Sequence, residues 1–168
     1  EEKEQMMTFL KQISQGFTTT IGNLEDIVDA QNLSILKNKE INLNQYVHHA
    51  VQTLRVNIKS SGAIVVNQID HNLQISANPA FMESILLNIM SNSIKYRHPE
   101  RKPVIMINGV MRGNELMISF RDNGKGIDLK KHKNDLFGMY KVFHGNSDAK
   151  GIGLFITKFQ VESMGGRI

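Results

Sequence analysis

Apolar residues in the first thirty positions recur at alternating steps of three and four. The series is Met6, Leu10, Ile13, Phe17, Leu24 and Ile27, with Thr20 in its one gap. This spacing predicts a helix over residues 1–30 with a narrow apolar seam, which is typical of a helix that pairs with another helix. Gly16 and Gly22 lower its intrinsic stability, so we expect it to need that partner. The alternative is a helix packed on the surface of its own domain.

The remaining pattern alternates between helical and strand periodicity, after a polar stretch over residues 31–41 that we interpret as a linker. The predicted elements are helices over 43–60, 79–97 and 151–164, strands over 63–69, 73–76, 103–110 and 115–121, and a strand beginning at 165. Asn42 and Asn78 are the expected N-caps of the first two of these helices, and Pro79 suits a first helical position. Residues 42–168 are therefore predicted to form one α+β domain whose last strands we expect beyond Ile168.

Composition excludes several classes of protein. The 168 residues are 40% hydrophobic and 21% charged, and they include no cysteine, so neither a disulfide scaffold nor a thiolate metal site is available. The net charge of +4 is spread along the chain, and its densest cluster, over residues 130–133, is short and lacks interleaved aromatics. We therefore expect no nucleic-acid partner. No apolar run approaches the roughly 18 residues of a membrane span, and the first residues do not resemble a signal peptide.

Polar side chains line one face of the predicted helix over 79–97. Steps of four and three place Asn88, Asn92 and Lys95 together, with Tyr96 beside them. Carboxamide oxygens are hard, neutral ligands of the kind that Mg²⁺ accepts, and a lysine one turn further could meet phosphate as a point charge. The alternative is an ordinary polar surface on an amphipathic helix.

Two glycine-containing segments carry further candidate chemistry. The first, Asp122-Asn-Gly124-Lys-Gly126-Ile127, directly follows a predicted strand. A carboxylate there could accept a hydrogen bond from an exocyclic amine such as adenine N6, and glycines let a planar ligand approach the backbone. Taken alone, Asp-Asn-Gly is also a common turn.

The second segment, Gly151-Ile-Gly153-Leu154, opens the last predicted helix. Its free N–H groups and its dipole could bind phosphate. The chain has no Gly-Lys-Ser/Thr of a Walker A loop, and this Gly-x-Gly lacks the third glycine of a dinucleotide fingerprint.

The order of these segments closely resembles the ATP-binding domain of sensor histidine kinases, which belongs to the GHKL group together with DNA gyrase B. Residues 88–97 resemble the N box of that family, 122–127 the G1 box, 136–143 the F box and 151–154 the G2 box. The resemblance implies a two-layer α/β sandwich of the Bergerat type that holds ATP and Mg²⁺ beneath a lid over residues 129–150.

The resemblance also implies roles for single residues. Asn92 would coordinate Mg²⁺, Asn88 would support the metal and the phosphates, and Lys95 would contact phosphate. The nucleotide-binding set would further comprise Tyr96 against the nucleoside, Asp122 on the adenine amine, Gly124, Gly126 and Ile127 around the base, Lys141 and Lys150 in the lid, and Gly151, Gly153 and Leu154 at the last helix. The cluster over residues 130–133 would flank the start of the lid.

Residues 1–30 resemble the second helix of the family's dimerisation hairpin, which forms a four-helix bundle in a homodimer. The implied partners are a second copy of the chain and the receiver domain of a response regulator. The implied location is the cytosol of a bacterium. If an upstream segment provides a membrane anchor, the chain would be the cytosolic part of a membrane-bound sensor kinase. The first hairpin helix, which carries the phosphorylated histidine, is absent. None of the six histidines has the setting of an acceptor histidine.

Two departures from family patterns bear on the activity. Ala149 stands where the G2 box usually has another glycine, which predicts a less freely hinged lid. Asn88 stands where gyrase-like ATPases have a glutamate that activates water, and an amide cannot take a proton. Phosphoryl transfer to histidine is therefore favoured over hydrolysis by a gyrase-like ATPase. An ATP-sensing or scaffolding module that does not transfer phosphate stays open as the alternative.

Overall fold

The computed structural model describes residues 37–113, 115–133, 135–139 and 151–168. The predicted helix over 1–30 and most of the linker lie outside these residues. The elements of the described part are β1 (Lys39–Asn42), α1 (Leu43–Thr53), α2 (Arg55–Ser61), β2 (Ile64–Asn67), β3 (Gln74–Ala77), α3 (Pro79–Lys95), β4 (Val104–Arg112), β5 (Glu115–Asp122), α4 (Leu129–His132) and α5 (Gly153–Ser163).

The strands form two small sheets. β1 and β3 pair antiparallel, with Ile41 opposite Ile75, while β2 runs parallel to β4 and β4 runs antiparallel to β5. β1 begins at Lys39, inside the predicted linker over residues 31–41. These polar residues form a strand because β3 lies beside them and pairs with their backbone.

One face of the larger sheet packs against helices. Ile105 and Ile107 of β4 are fully buried, and they join one hydrophobic core with Leu43 and Val47 of α1 and Leu86 of α3. The alternate residues of the same strands face outward, and Val110 on β4 lies opposite Met117 on β5 with both side chains exposed. This arrangement is an α+β fold with a helical layer on a sheet, as predicted.

The helix predicted over residues 43–60 is interrupted. α1 ends at Thr53, and its C-cap Leu54 has a φ and ψ of −87° and 9°, which leave the helical region before α2 begins at Arg55. The Thr53 hydroxyl donates to the His49 carbonyl, a type of back-bond that bends helices, and Leu54 turns into the core. The predicted cap is present, because Asn42 Oδ1 accepts from Gln45 N at 3.0 Å.

α3 begins as its sequence predicts. Asn78 Oδ1 accepts from the N–H groups of Ala80 and Phe81 at 3.0 and 3.2 Å, and Pro79 occupies the first helical position. The apolar side of α3 faces the core and places its polar edge toward α5 and the end of β5. α3 therefore carries the candidate residues of the N-box segment on a buried scaffold.

The end of the described chain differs from its prediction. α5 begins at Gly153 rather than Gly151, and residues 166–168 form no strand with any described residue, although Arg167 donates to Glu115 Oε2 at 2.6 Å. Residues become a strand only when another strand pairs with their backbone, and a local residue pattern cannot specify whether that second strand is present. Within the described ranges, every helix is too short or too polar to cross a bilayer.

Candidate functional site

A chain of side-chain amides crosses from α3 to α5. Asn92 Nδ2 donates to Asn88 Oδ1 at 3.2 Å, and Asn88 Nδ2 donates to Thr157 Oγ1 at 2.7 Å. Asn88 and Asn92 are half-buried, whereas Thr157 is fully buried. Both polar ends of Asn88 are thus engaged, while Asn92 Oδ1 receives no hydrogen bond from any described residue. The oxygen available to a hard cation is therefore that of Asn92.

Gly153 lies directly against Asn88. A Cβ at Gly153 would come within 3.1 Å of Asn88 Cγ and Nδ2 and closer still to Oδ1. Gly153 and Thr157 are one turn apart on α5, so both meet the same side chain of α3. No side chain of the described residues caps the start of α5 at Ile152, which leaves the first N–H groups of α5 free for an anion.

The turn after β5 is built around Asp122. Asp122 Oδ1 accepts from Gly124 N at 2.9 Å, and Oδ2 accepts from Ser93 Oγ at 3.2 Å. Asp122 is exposed, and each carboxylate oxygen can accept a further hydrogen bond. The carboxylate is therefore held in place from both sides and can still receive a donor such as an amine.

The backbone of α3's C-terminus closes this turn. Lys125 N donates to the Tyr96 carbonyl at 3.0 Å, and a Cβ at Gly124 would stand 2.8 Å from that oxygen. Asn123 ties the turn to the start of β4, because its Oδ1 accepts from Val104 N and its Nδ2 donates to the Lys102 carbonyl, each at 2.9 Å. The segment is consequently fixed against both α3 and β4.

Lys95 and Tyr96 end α3, with the Tyr96 carbonyl against the Asp122 turn and the Lys95 side chain beside Ser60 of α2 and Ser91 of α3. Lys95 Nζ is 5.7 Å from the centre of the Tyr96 ring, within the range of a cation–π contact. Burial of the phenol raises the pKa of Tyr96 above 10.0, because desolvation disfavours the charged phenolate. Tyr96 is therefore neutral at physiological pH, with an apolar ring face to offer to a ligand.

Of the remaining predicted site residues, four lie within the described part of the chain and two lie outside it. Gly126 and Gly151 both have a φ of +70°, Leu154 is half-buried on α5, and Ile127 is 36% exposed. Lys141 and Lys150 lie outside the described residues. Of the F-box segment, residues 136–139 are described, and there Lys158 Nζ of α5 is 5.8 Å from the centre of the Phe137 ring.

The basic cluster over residues 130–133 is mostly in α4. Asp128 caps this helix by accepting from Lys130 N at 3.0 Å, and it lies 3.9 Å from Lys131 Nζ. Both side chains of this ion pair are well exposed, so it contributes little to stability.

Two residues outside the predicted site set contact it. Ser93 and Thr157 each form a hydrogen bond directly with a predicted site residue, Ser93 with Asp122 and Thr157 with Asn88. Thr157 carried a weak signal, since it stands one helical turn after Gly153. Ser93 carried none, because its partner is 29 residues away. The described residues hold no cluster of three or more His, Asp or Glu side chains suited to a metal.

Known proteins share this site-bearing region. Residues 77–168 match the model of the family described as histidine kinase-, DNA gyrase B-, and HSP90-like ATPase. The chain is 32% identical over 121 residues to sensor protein RprX of Bacteroides fragilis, covering 71% of this chain and 23% of that protein. It is 28% identical over 130 residues to the methanogenesis regulatory histidine kinase FilI of Methanothrix harundinacea, covering 77% and 14%. The chain spans less than a quarter of the length of either relative.

Solved structures share the fold. The catalytic domain of histidine kinase ThkA superposes with a TM-score of 0.66 at 18% identity, covering 77% of this chain and 82% of that one. Full-length ShkA in complex with AMPPNP gives 0.69 at 16% identity, covering 87% and 31%. These structures share the fold, and the family match over residues 77–168 together with the sequence relatives shows that the chain belongs to the histidine kinase-, DNA gyrase B-, and HSP90-like ATPase family and contains the ATP-binding domain of a sensor histidine kinase.

Proposed function

We propose that this chain is the catalytic module of a sensor histidine kinase that transfers the γ-phosphoryl group of ATP to a histidine on the dimerisation hairpin. The observation that carries the proposal is the state of Asn88, whose amide is hydrogen-bonded on both sides and has no basic oxygen. Asn88 can orient its neighbours but cannot deprotonate water, which favours a nucleophile that needs no base at this position.

Mg²⁺ fits the amide pair of α3. Asn92 Oδ1 would be the metal ligand, since its own Nδ2 is anchored on Asn88 and no described residue donates to the oxygen. Asn88 would support the metal through that anchor. Bound Mg²⁺ would neutralise charge on the phosphates, and the chain's own part is to present one neutral oxygen in a held position.

ATP fits the two glycine segments. Asp122 would accept a hydrogen bond from the exocyclic amine of adenine. Its carboxylate is held by hydrogen bonds from Ser93 Oγ at 3.2 Å and from Gly124 N at 2.9 Å. The Gly124, Gly126 and Ile127 turn shapes the base pocket, and Tyr96 lies against the nucleoside. The positions of Asp122 and Tyr96 are linked, because Tyr96 O and Asp122 Oδ1 both lie within 3 Å of the point that a Cβ at Gly124 would occupy.

Phosphate binding falls to the positive groups of the site. Lys95 provides a point charge, and the uncapped start of α5, over residues Gly151, Gly153 and Leu154, provides backbone N–H groups. Lys141 and Lys150 are proposed as further contacts from the lid. This division leaves the γ-phosphoryl end between α3 and α5 and the base beside β5.

The proposed partners follow from the proposed activity. A second copy of the chain would associate through residues 1–30, the receiver domain of a response regulator would accept the phosphoryl group, and the module would work in the bacterial cytosol. A concentration series in analytical ultracentrifugation, with and without residues 1–30, tests the association. A chain that stays monomeric in both forms contradicts it.

Single-turnover labelling tests the transfer. The chain is mixed with a separately produced hairpin carrying the acceptor histidine and with γ-labelled ATP and Mg²⁺, and we expect acid-labile label on the hairpin. Asn92→Ala is the matched loss-of-function control. Nucleotide binding without label on the hairpin would indicate a sensing module, and steady-state release of phosphate by the chain alone would indicate a gyrase-like ATPase.

A further inference from the structure

Two side-chain hydrogen bonds join α3 to α5, and they differ in what they reach. Ser84 Oγ accepts from Gln160 Nε2 at 3.0 Å, whereas Thr157 Oγ1 accepts from Asn88 Nδ2 at 2.7 Å. Both α5 residues are buried, with exposures of 2% and 0%. The first bond ends in the interface, whereas the second continues through Asn88 Oδ1 to Asn92 at 3.2 Å. Only the bond from Thr157 is connected to the proposed metal ligand.

The direction of this chain of hydrogen bonds matters. A carboxamide has a donor end and an acceptor end, so the orientation of Asn88 dictates that of Asn92. Because Thr157 accepts, Asn88 presents Nδ2 to Thr157 and Oδ1 to Asn92, and Asn92 must then present Nδ2 to Asn88. Asn92 Oδ1 is left over as a result. If Asn88 were reversed, its Nδ2 would face Asn92 and would occupy the oxygen that a metal needs.

Thr157 is the acceptor in this contact, because its Oγ1 accepts a hydrogen bond from Asn88 Nδ2 at 2.7 Å. A hydroxyl oxygen keeps two lone pairs for donors whichever way its own hydrogen turns. Gly153 adds a steric constraint on the same side chain, since it lies within contact distance of the Asn88 amide. α5 thus limits both the position and the orientation of Asn88.

We propose that Thr157 is a positioning residue for Mg²⁺: it sets the orientation of Asn88 and thereby holds Asn92 Oδ1 available to the metal. This inference rests on the proposed function of Asn92. Thr157 itself touches neither metal nor nucleotide. Groups that orient metal ligands from the outer shell commonly change metal affinity by about 10- to 100-fold when they are removed.

Two substitutions separate the hydroxyl from the packing. Thr157→Val keeps the buried, β-branched shape and removes the acceptor, while Thr157→Ser keeps the hydroxyl and removes a methyl group. Ser84→Ala is the matched control, because it breaks the other α3–α5 hydrogen bond one turn away. Asn92→Ala removes the proposed ligand itself.

The first measurement is the binding of a fluorescent ATP analogue over a Mg²⁺ titration and in EDTA. For Thr157→Val we expect the Mg²⁺ midpoint to rise about tenfold, with binding in EDTA changed less than twofold. Thr157→Ser and Ser84→Ala should keep the wild-type midpoint, even where thermal unfolding shows that they are less stable. In the metal-free chain, the side-chain amide NMR signals of Asn88 and Asn92 should shift in Thr157→Val and not in Ser84→Ala.

The outcomes distinguish the two proposals. An unchanged midpoint in Thr157→Val, or an equal rise in Ser84→Ala, overturns the role of Thr157 while leaving the nucleotide site intact. A wild-type chain that shows no Mg²⁺-dependent binding, or an Asn92→Ala chain with the wild-type midpoint, overturns the proposed metal site and the role of Thr157 with it.

Discussion

The two ends of the candidate site are held in different ways. Beside β5, Asp122 is fixed by the backbone N–H of Gly124 and by Ser93, and Asn123 ties the same turn to β4. Between α3 and α5, Asn92 depends on a chain of side chains that ends on Thr157. The base end is anchored largely by backbone groups of neighbouring elements, whereas the metal end depends on where α5 lies. Movement of α5 should therefore affect the metal ligand more than the base pocket.

Removing the carboxylate at the base end should have the largest effect. In Asp122→Ala the amine loses its acceptor and Gly124 N loses its partner, so we expect nucleotide affinity to fall about 100-fold, which corresponds to one hydrogen bond to a charged group. Isothermal titration with ADP in EDTA measures it.

Asp70→Ala is the matched control for Asp122→Ala. Asp70 is exposed, lies away from the site and makes a similar turn bond, from Asn72 N at 2.7 Å. If both variants bind ADP as the wild type does, the adenine contact is wrong.

Crowding the metal end should have the next largest effect. Gly153→Ala would push a Cβ into Asn88, and we expect a loss of about 1–3 kcal/mol in the free energy of unfolding, as in other overpacked sites. The Mg²⁺ midpoint for nucleotide binding should rise, and binding in EDTA should also weaken, because Gly153 belongs to the proposed phosphate-binding start of α5. Urea unfolding and the same titration provide the measurements.

A double variant tests the cause of that loss. Adding Asn88→Ala to Gly153→Ala removes the group that the new Cβ meets, so the two changes should be less destabilising together than their sum. Strict additivity would show that Gly153 is needed for a reason other than Asn88.

Loosening the base end should have a smaller effect. Ser93→Ala removes a hydroxyl whose single hydrogen is shared between Asp122 Oδ2 at 3.2 Å and the Ile89 carbonyl at 3.0 Å, so we expect ADP affinity to fall by at most about fivefold, the contribution of one ordinary hydrogen bond. The fall should be the same with Mg²⁺ and with EDTA. Ser91→Ala is the control, since the Ser91 hydroxyl bonds to the Asn88 carbonyl within α3. A fall that appears only with Mg²⁺ would contradict the separation of the two ends.

The smallest effect concerns pH. Burial raises the pKa of Tyr96 above 10.0, so the folded chain holds the phenol proton more tightly than the unfolded chain does. The free energy of unfolding is therefore unaffected by the ionisation of Tyr96 below pH 10. It falls as the pH rises above 10, because the unfolded chain releases the proton first. Unfolding in urea between pH 7 and 11 should show a decline above pH 10 that Tyr96→Phe reduces. An identical decline in both chains would exclude Tyr96 as its source.

Local sequence was sufficient for the parts whose physics is local. Asn78 and Pro79 predicted the start of α3 because a helix cap involves only adjacent residues. The Asp122–Gly124 bond likewise spans two residues. By contrast, two features depend on distant residues. β1 is a strand only because it pairs with β3, which lies more than thirty residues later, so local sequence predicted a linker there. The break at Leu54 depends on the packing of its side chain against the core.

The order of residues alone specifies the chemical groups that this protein carries: two amides and a lysine on one helix, a carboxylate with glycines after a strand, and glycines at a second helix. The packing of α5 on α3 then determines which of the two amides keeps an oxygen available for a ligand. That availability depends on Thr157, which lies 69 residues from Asn88 along the chain and reaches it only because α5 packs on α3. A hydrogen bond is directional, so the availability of an oxygen depends on its whole network and not on residue type alone.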